Sequence, residues 1–281
     1  DAAWSRGAGA DAVFHTVLAR LAAFSSERLE ADTGIGDSAS LNYFAAVVAF
    51  SSGGKTVSSS VARRLLPAPA GLDVLDGVGL GSGEGLAEAF MGTVEEPADS
   101  QGSRRKPKEV RKQVRNNAFF RLDEGQALTK MVERSGATVS EAIRSAWMGD
   151  ELGQQNGTRE RTRRVSNYCM GMVLGFQMRT AQPFLSDLEG TSQRFAYVAA
   201  EDSNIPYERM EWPGEMVMPE AASRWSVSAR PITYDQVIRD ATWAFHLGKQ
   251  RGDLVIDERD GHSNLMRIKI ATLLALLANR C

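Results

Sequence analysis

Residues 41 to 56 read LNYFAAVVAFSSGGKT, and the reading of this stretch decides the fold. Leu41 to Phe50 carries no charge and mixes Val with aromatic residues, the composition of a buried strand. Ser51-Ser52-Gly53-Gly54 breaks that run, and Val57 to Leu66 resumes with helical spacing, so the glycines sit between a strand and a helix start. A turn of this kind presents backbone N–H groups at a helix N-terminus, where the helix dipole favours an anion. Gly54-Lys55-Thr56 adds a lysine to neutralise phosphate charge and a hydroxyl able to hold a magnesium ion. Ser51, Ser52, Gly53, Gly54, Lys55, Thr56 and Val57 are therefore the candidate cradle for nucleotide phosphates, with Thr56 also a candidate metal ligand. The full pattern GxxxxGK[ST] starts with glycine, but Ala49 stands there and Ser52 occupies another glycine position, so the loop is degenerate.

Further along, Ala118 to Leu122 reads as a second apolar strand and closes on Asp123-Glu124. Phosphoryl transfer needs such a pair: Asp123 to hold the water shell of magnesium and Glu124 to polarise the attacking water. More strands are expected at Val74 to Leu80, Met170 to Gln177 and Arg194 to Ala200, alternating with helices near 125–134, 140–148 and 180–188. The alternation predicts an α/β fold with a mainly parallel central sheet covered by helices. Three units are marked out: an N-terminal helical segment at 1–35, an ATPase-type core at 36–204, and a connector with an incomplete helical lid at 205–281. Gly81 to Gly85 is a glycine-rich helix start and not a second phosphate loop, because no lysine follows it.

Composition narrows the remaining classes. The 281 residues are 43% hydrophobic, enough for a sizeable core, and 33 Lys plus Arg against 35 Asp plus Glu leave the whole molecule nearly neutral. Any affinity for nucleic acid must then be local. Two segments are locally basic, Arg104 to Arg115 and Arg159 to Arg164, and the polar stretch 93–116 around the first reads as a mobile surface loop. Neither interleaves aromatic residues, so the expected contact with single-stranded DNA is an electrostatic grip without base stacking. The three histidines and two cysteines show no metal-ligand spacing, and no apolar run is long enough to span a bilayer. The expectation is a cytoplasmic protein without membrane attachment, cut from a longer chain since it begins at Asp1 and stops within a helical pattern.

Ala39-Ser40-Leu41-Asn42, Gly81 to Leu86, Leu122-Asp123-Glu124-Gly125-Gln126-Ala127-Leu128, Gly175-Phe176-Gln177 and Gln193-Arg194-Phe195 form a set. The set resembles an actinobacterial group of P-loop ATPases carried on plasmids, phages and integrated elements, often beside or fused to primase-polymerase modules. That group is similar to the ring-forming replication ATPases, with a RecA/AAA-like core. The resemblance covers residues 36 to about 200 and, more weakly, the C-terminal helices. It implies an ATP- and Mg2+-dependent hydrolase that works as a homo-oligomer, a DNA-linked motor or switch in mobile-element replication. It also implies that Gln177 senses the γ-phosphate, that Arg194 serves as an arginine finger, and that Arg267 acts from the lid. The alternatives are a regulatory or scaffold protein whose degenerate loop binds nucleotide but turns it over weakly, and a small-molecule kinase.

Overall fold

The computed structural model describes residues 1–50, 53–96, 108–135, 137–153, 164–186, 190–223, 230–257 and 260–279. The first long helix, α1 (Ala10–Phe24), is buried almost all round and not along one stripe. Ala12, Ala19, Ala22 and Ala23 are small enough to let it lie close to its neighbours, while Val17, Leu18 and Leu21 fill the space between. Burying each of these larger side chains is worth about 1.5–3 kcal/mol. Residues 1–35, which the sequence sets apart, thus contribute a helix to the central core.

The chain continues through β1 (Leu29–Ala31), β2 (Ala39–Ser40), β3 (Tyr43–Ala49), α2 (Lys55–Leu65), β4 (Val74–Val78) and α3 (Gly83–Glu88). Next come β5 (Met91–Glu96), β6 (Lys108–Gln113), β7 (Asn117–Leu122), α4 (Gln126–Ser135), α5 (Ala137–Met148), β8 (Cys169–Gln177) and α6 (Met178–Leu185). The last elements are β9 (Phe195–Ala199), α7 (Glu220–Ser223), β10 (Arg230–Ile232), α8 (Gln236–Arg251) and α9 (Ser263–Leu277).

Five strands form a parallel sheet in the order β4-β7-β8-β3-β9. Its winding reverses at β3, with β4, β7 and β8 on one side and β9 on the other. In open sheets of this type, ligands bind at the carboxyl ends of the strands beside such a reversal. Central β8 is buried from Cys169 through Phe176, as expected for a parallel strand covered on both faces. On one face α1 packs against β8 and α2. On the other, Phe176 stacks on Phe184 of α6 at 5.2 Å between ring centres.

The amino edge of the sheet is closed by buried polar side chains. Asn42 Nδ2 donates to the Ala146 carbonyl at 2.6 Å, and its Oδ1 accepts from Met170 N–H at 2.7 Å. Asn117 Nδ2 donates to the carbonyls of Ala23 and Ser25 at 2.7 and 2.9 Å. Lys269, wholly buried on α9, donates from Nζ to the carbonyls of Asn42 and Trp147 and to Ser40 Oγ. These donors satisfy the last carbonyls of α5 and α1, which no intrahelical N–H can reach. Burial, and then the charge of Arg194, push the pKa of the Lys269 amine well below the ordinary lysine value.

The reading of 93–116 as a loop is overturned at both of its described ends, while 97–107 lie outside the described residues. β5 and β6 pair antiparallel, with Thr93 opposite Arg111 and Val94 opposite Val110. A two-stranded ribbon standing off the core exposes most of both faces, so its apolar alternation shrinks to a few residues and escapes pattern reading. A small separate sheet, β10-β1-β2, lies where the connector returns toward the N-terminal half. No helix among the described residues is long and apolar enough to cross a membrane.

Candidate functional site at the carboxyl edge of the sheet

Gly54 has φ 86° and ψ 3°, a left-handed conformation that glycine adopts without strain, and from it Lys55 starts α2. Gly53 N–H donates to the Phe50 carbonyl at 3.0 Å, closing the described part of the turn. Ser51 and Ser52 lie outside the described residues. Thr56 and Val57 are exposed on the first turn of α2, so the Thr56 hydroxyl is open to a ligand.

Asp123 and Glu124 follow β7 directly and are both exposed. The turn they form is tied to β8: Gly125 N–H donates to the Gly175 carbonyl at 2.7 Å. Gly175 is itself enclosed, since a Cβ there would lie 2.7 Å from the Asp123 carbonyl oxygen and 3.4 Å from Lys55 Cδ. The lysine stem and the acidic turn therefore converge over one residue of β8. Because β7 and β3 each neighbour β8, about 10 Å separates the acidic turn from the glycine turn. Asp123 Oδ1 accepts from Arg121 Nε at 2.8 Å, and Glu124 Oε2 accepts from Gln126 Nε2 at 3.5 Å.

Gln177 is the last residue of β8, in register with Ala49 and exposed between the two turns. It lines a crevice of about 420 Å³ with Phe50, Met178 and Arg179. Among the described residues no group of three or more His, Cys, Asp and Glu is assembled. The hydroxyl of Thr56 and the carboxylate of Asp123 are hard oxygen donors of the kind magnesium takes alongside phosphate oxygens and water, so the residues present fit that ion.

Arg194 stands elsewhere. It precedes β9 and so lies at the amino edge of the sheet, about 16 Å in strand length from the carboxyl edge. Its Nη1 donates to the Gly190 carbonyl, its guanidinium carbon is 5.7 Å from the centre of the Trp147 ring, and its buried Nε has no partner among the described residues. Burial, and then the charge of Arg144, hold its pKa down to about 10 against the opposing influence of Asp150. Arg194 cannot serve the site of its own chain from there. Arg267 is exposed on α9.

The two basic segments are only partly described. Arg104, Arg105 and Lys106 lie outside the described residues, as do Arg159, Arg161 and Arg163. Arg111 pairs with Glu88, Arg115 with Asp73 at 3.2 Å, and Arg164 with Glu151 at 2.6 Å. These three arginines already have acidic partners, although exposed pairs of this kind are worth only about 0–1 kcal/mol and can be exchanged for phosphate.

One residue of the site was missed. Glu201 follows β9 by two positions, and its Oε1 accepts from Phe50 N–H at 2.7 Å, directly at the glycine turn. The signal was present, because Glu201-Asp202 after Tyr197-Val198-Ala199-Ala200 repeats the arrangement of acids after an apolar strand that marks Asp123-Glu124. No protein-family model matches this chain, and no curated protein matches it.

Proposed function

We propose that the chain is a P-loop ATPase that binds ATP with Mg2+ and hydrolyses it. The observation that carries this reading is the convergence over Gly175 of the Lys55 stem and the Asp123 backbone. It brings a cation, a hydroxyl and two carboxylates to one carboxyl edge at a reversal of strand order. Lys55 neutralises charge on the β- and γ-phosphates, and backbone N–H groups at the start of α2 bind them. Thr56 and Asp123 would hold Mg2+, which would offset charge developing on the phosphate oxygens. Glu124 accepts a proton from the attacking water. Gln177, between the two turns, donates its amide to the γ-phosphate.

Arg194 acts on a neighbouring copy of the chain, the arrangement its position at the opposite edge supports, and the working form is a homo-oligomer. Arg267 lies on α9, whose Lys269 packs at the amino edge of the sheet, away from the proposed cradle, so it is given no role over the phosphates. The placement in mobile-element replication rests on the sequence resemblance alone, and single-stranded DNA is the polymer it would engage.

ATP turnover measured with and without single-stranded DNA, for the parent and Lys55→Ala, tests the reading. Lys55-dependent turnover that rises with DNA supports a DNA-linked motor. Lys55-dependent binding without turnover assigns the regulatory alternative, favoured by the hold of Arg121 on Asp123. ATP turnover that persists in Lys55→Ala overturns the reading.

A further inference from the structure

The glycine turn is shaped from its other side by β9. Ala200 N–H donates to the Val48 carbonyl at 2.9 Å, extending the pairing of β9 with β3 up to the edge of the turn. Beyond it, Asp202 fixes the backbone. Its carboxylate accepts from Trp4 Nε1 at 2.8 Å, from Ala10 N–H at 3.2 Å and from Asn204 N–H at 2.9 Å, which holds its pKa below the usual carboxylate range. Glu201 stands between these two anchors, and Oε1 takes the Phe50 N–H. The same oxygen lies only 2.2 Å from where a Cβ on Gly53 would be, so the carboxylate rests against the bare α-carbon of that glycine. Glycine at position 53 therefore makes room for Glu201 as well as for the bend of the turn.

We infer that Glu201 is a positioning residue with two opposed effects on the nucleotide site. Its hydrogen bond braces the first residue of the turn, while its charge sits beside a cradle built for polyphosphate and lowers the affinity that cradle would otherwise reach. The inference rests on the P-loop reading of the same turn. A carboxylate a few ångströms from a bound phosphate repels it strongly where water is partly excluded, and less as salt screens the pair. Glutamine keeps a carbonyl oxygen for the Phe50 N–H and removes the charge, whereas alanine removes both.

Calorimetric titration with Mg-ATP at low and high ionic strength, on the parent, Glu201→Gln, Glu201→Ala and Lys55→Ala, separates the effects. Glu201→Gln should bind about three- to tenfold more tightly than the parent at low salt, with the gain shrinking at high salt. Glu201→Ala should bind more weakly than Glu201→Gln, because the turn has lost its brace. Pyrophosphate in place of ATP should give the same ranking, since the effect is on phosphate and not on the base. Lys55-dependent binding that Glu201→Gln leaves unchanged or weakens overturns the role of Glu201 alone. A parent that binds no Mg-ATP, or a Lys55→Ala variant that binds as the parent does, overturns the P-loop reading and the role of Glu201 with it.

Discussion

Lys55 Cδ lies against Gly175, at 3.4 Å from where a Cβ on that glycine would stand. The first residue of α2 and the middle of the acidic turn thus depend on one bare position in β8. A methyl group in Gly175→Ala would meet the Asp123 carbonyl at 2.7 Å and push the turn off the strand. Overpacking of this kind costs about 1–3 kcal/mol. Displacing catalytic groups by a fraction of an ångström should lower ATP turnover by at least about tenfold. Steady-state turnover set beside a thermal melt checks both, and a folded variant with parental turnover would remove the need for the contact.

The two acids should separate in their effects. On the proposed ATPase reading, Glu124→Gln keeps the shape and loses the proposed base, so Mg-ATP binding should persist while turnover falls by about 10²–10⁴. Asp123→Asn weakens the proposed metal ligand, so its activity should demand a higher Mg2+ concentration. Binding measurements on the first and a Mg2+ titration of the second decide the assignment. Parental turnover in Glu124→Gln would leave that residue without its role.

For Arg194 the expected behaviour is complementation. Arg194→Ala subunits keep an intact cradle and Lys55→Ala subunits keep an intact arginine, so mixing the two inactive forms should restore part of the activity. An arginine acting on a neighbour's γ-phosphate is worth about 10³–10⁵ in rate where such residues occur. To reach a neighbour, its guanidinium must leave the Gly190 carbonyl and the Trp147 ring. Activity that neither falls in Arg194→Ala nor returns on mixing would count against the trans role.

Stability should depend on His262. Burial, then the charges of Arg194, Lys249 and Lys269, push its pKa down from 6.5 to about 4. The imidazole edge meets Trp147 at 5.5 Å between ring centres. Above pH 6.5 the ring is neutral in both states and adds no pH dependence. Between 6.5 and about 4 the unfolded chain takes up a proton that the folded one refuses, so stability falls as pH falls through that window. Denaturant midpoints for the parent and His262→Asn across this range check the sign. Parallel curves would mean that the ring is not held neutral.

Much of the element order is legible in the sequence because parallel strands buried on both faces carry unbroken apolar runs, as from Cys169 to Phe176. The β5–β6 ribbon is not, since a solvated pair of strands needs few apolar residues. Strand order is also hidden. The sequence marks β3, β7 and β8 as strands but not the insertion of β8 between the other two, which follows from non-local contacts such as Asn42 with Met170 and Gly125 with Gly175. Within the site, Lys55, Thr56, Asp123 and Gln177 could be picked out because each stands at the end of a recognisable element. Glu201 does not stand out in the sequence because acids after a strand are common on surfaces, and its place at the turn shows only in the fold, through the Phe50 N–H it accepts and the bare Gly53 it rests against.

The amine that closes the C-terminus of α5 arrives from the far end of the chain, with Lys269 and Asn42 separated by 227 positions. During synthesis, every strand of the central sheet has left the ribosome before α9 does. Until then the carbonyls of Asn42 and Trp147 must be hydrated, and the amino edge cannot pack dry around them. Contacts this distant in sequence are reached late because the intervening chain must first be ordered. The carboxyl edge with its glycine and acidic turns can therefore take shape on a nascent chain whose opposite edge is still open, with the amine that closes it still to come.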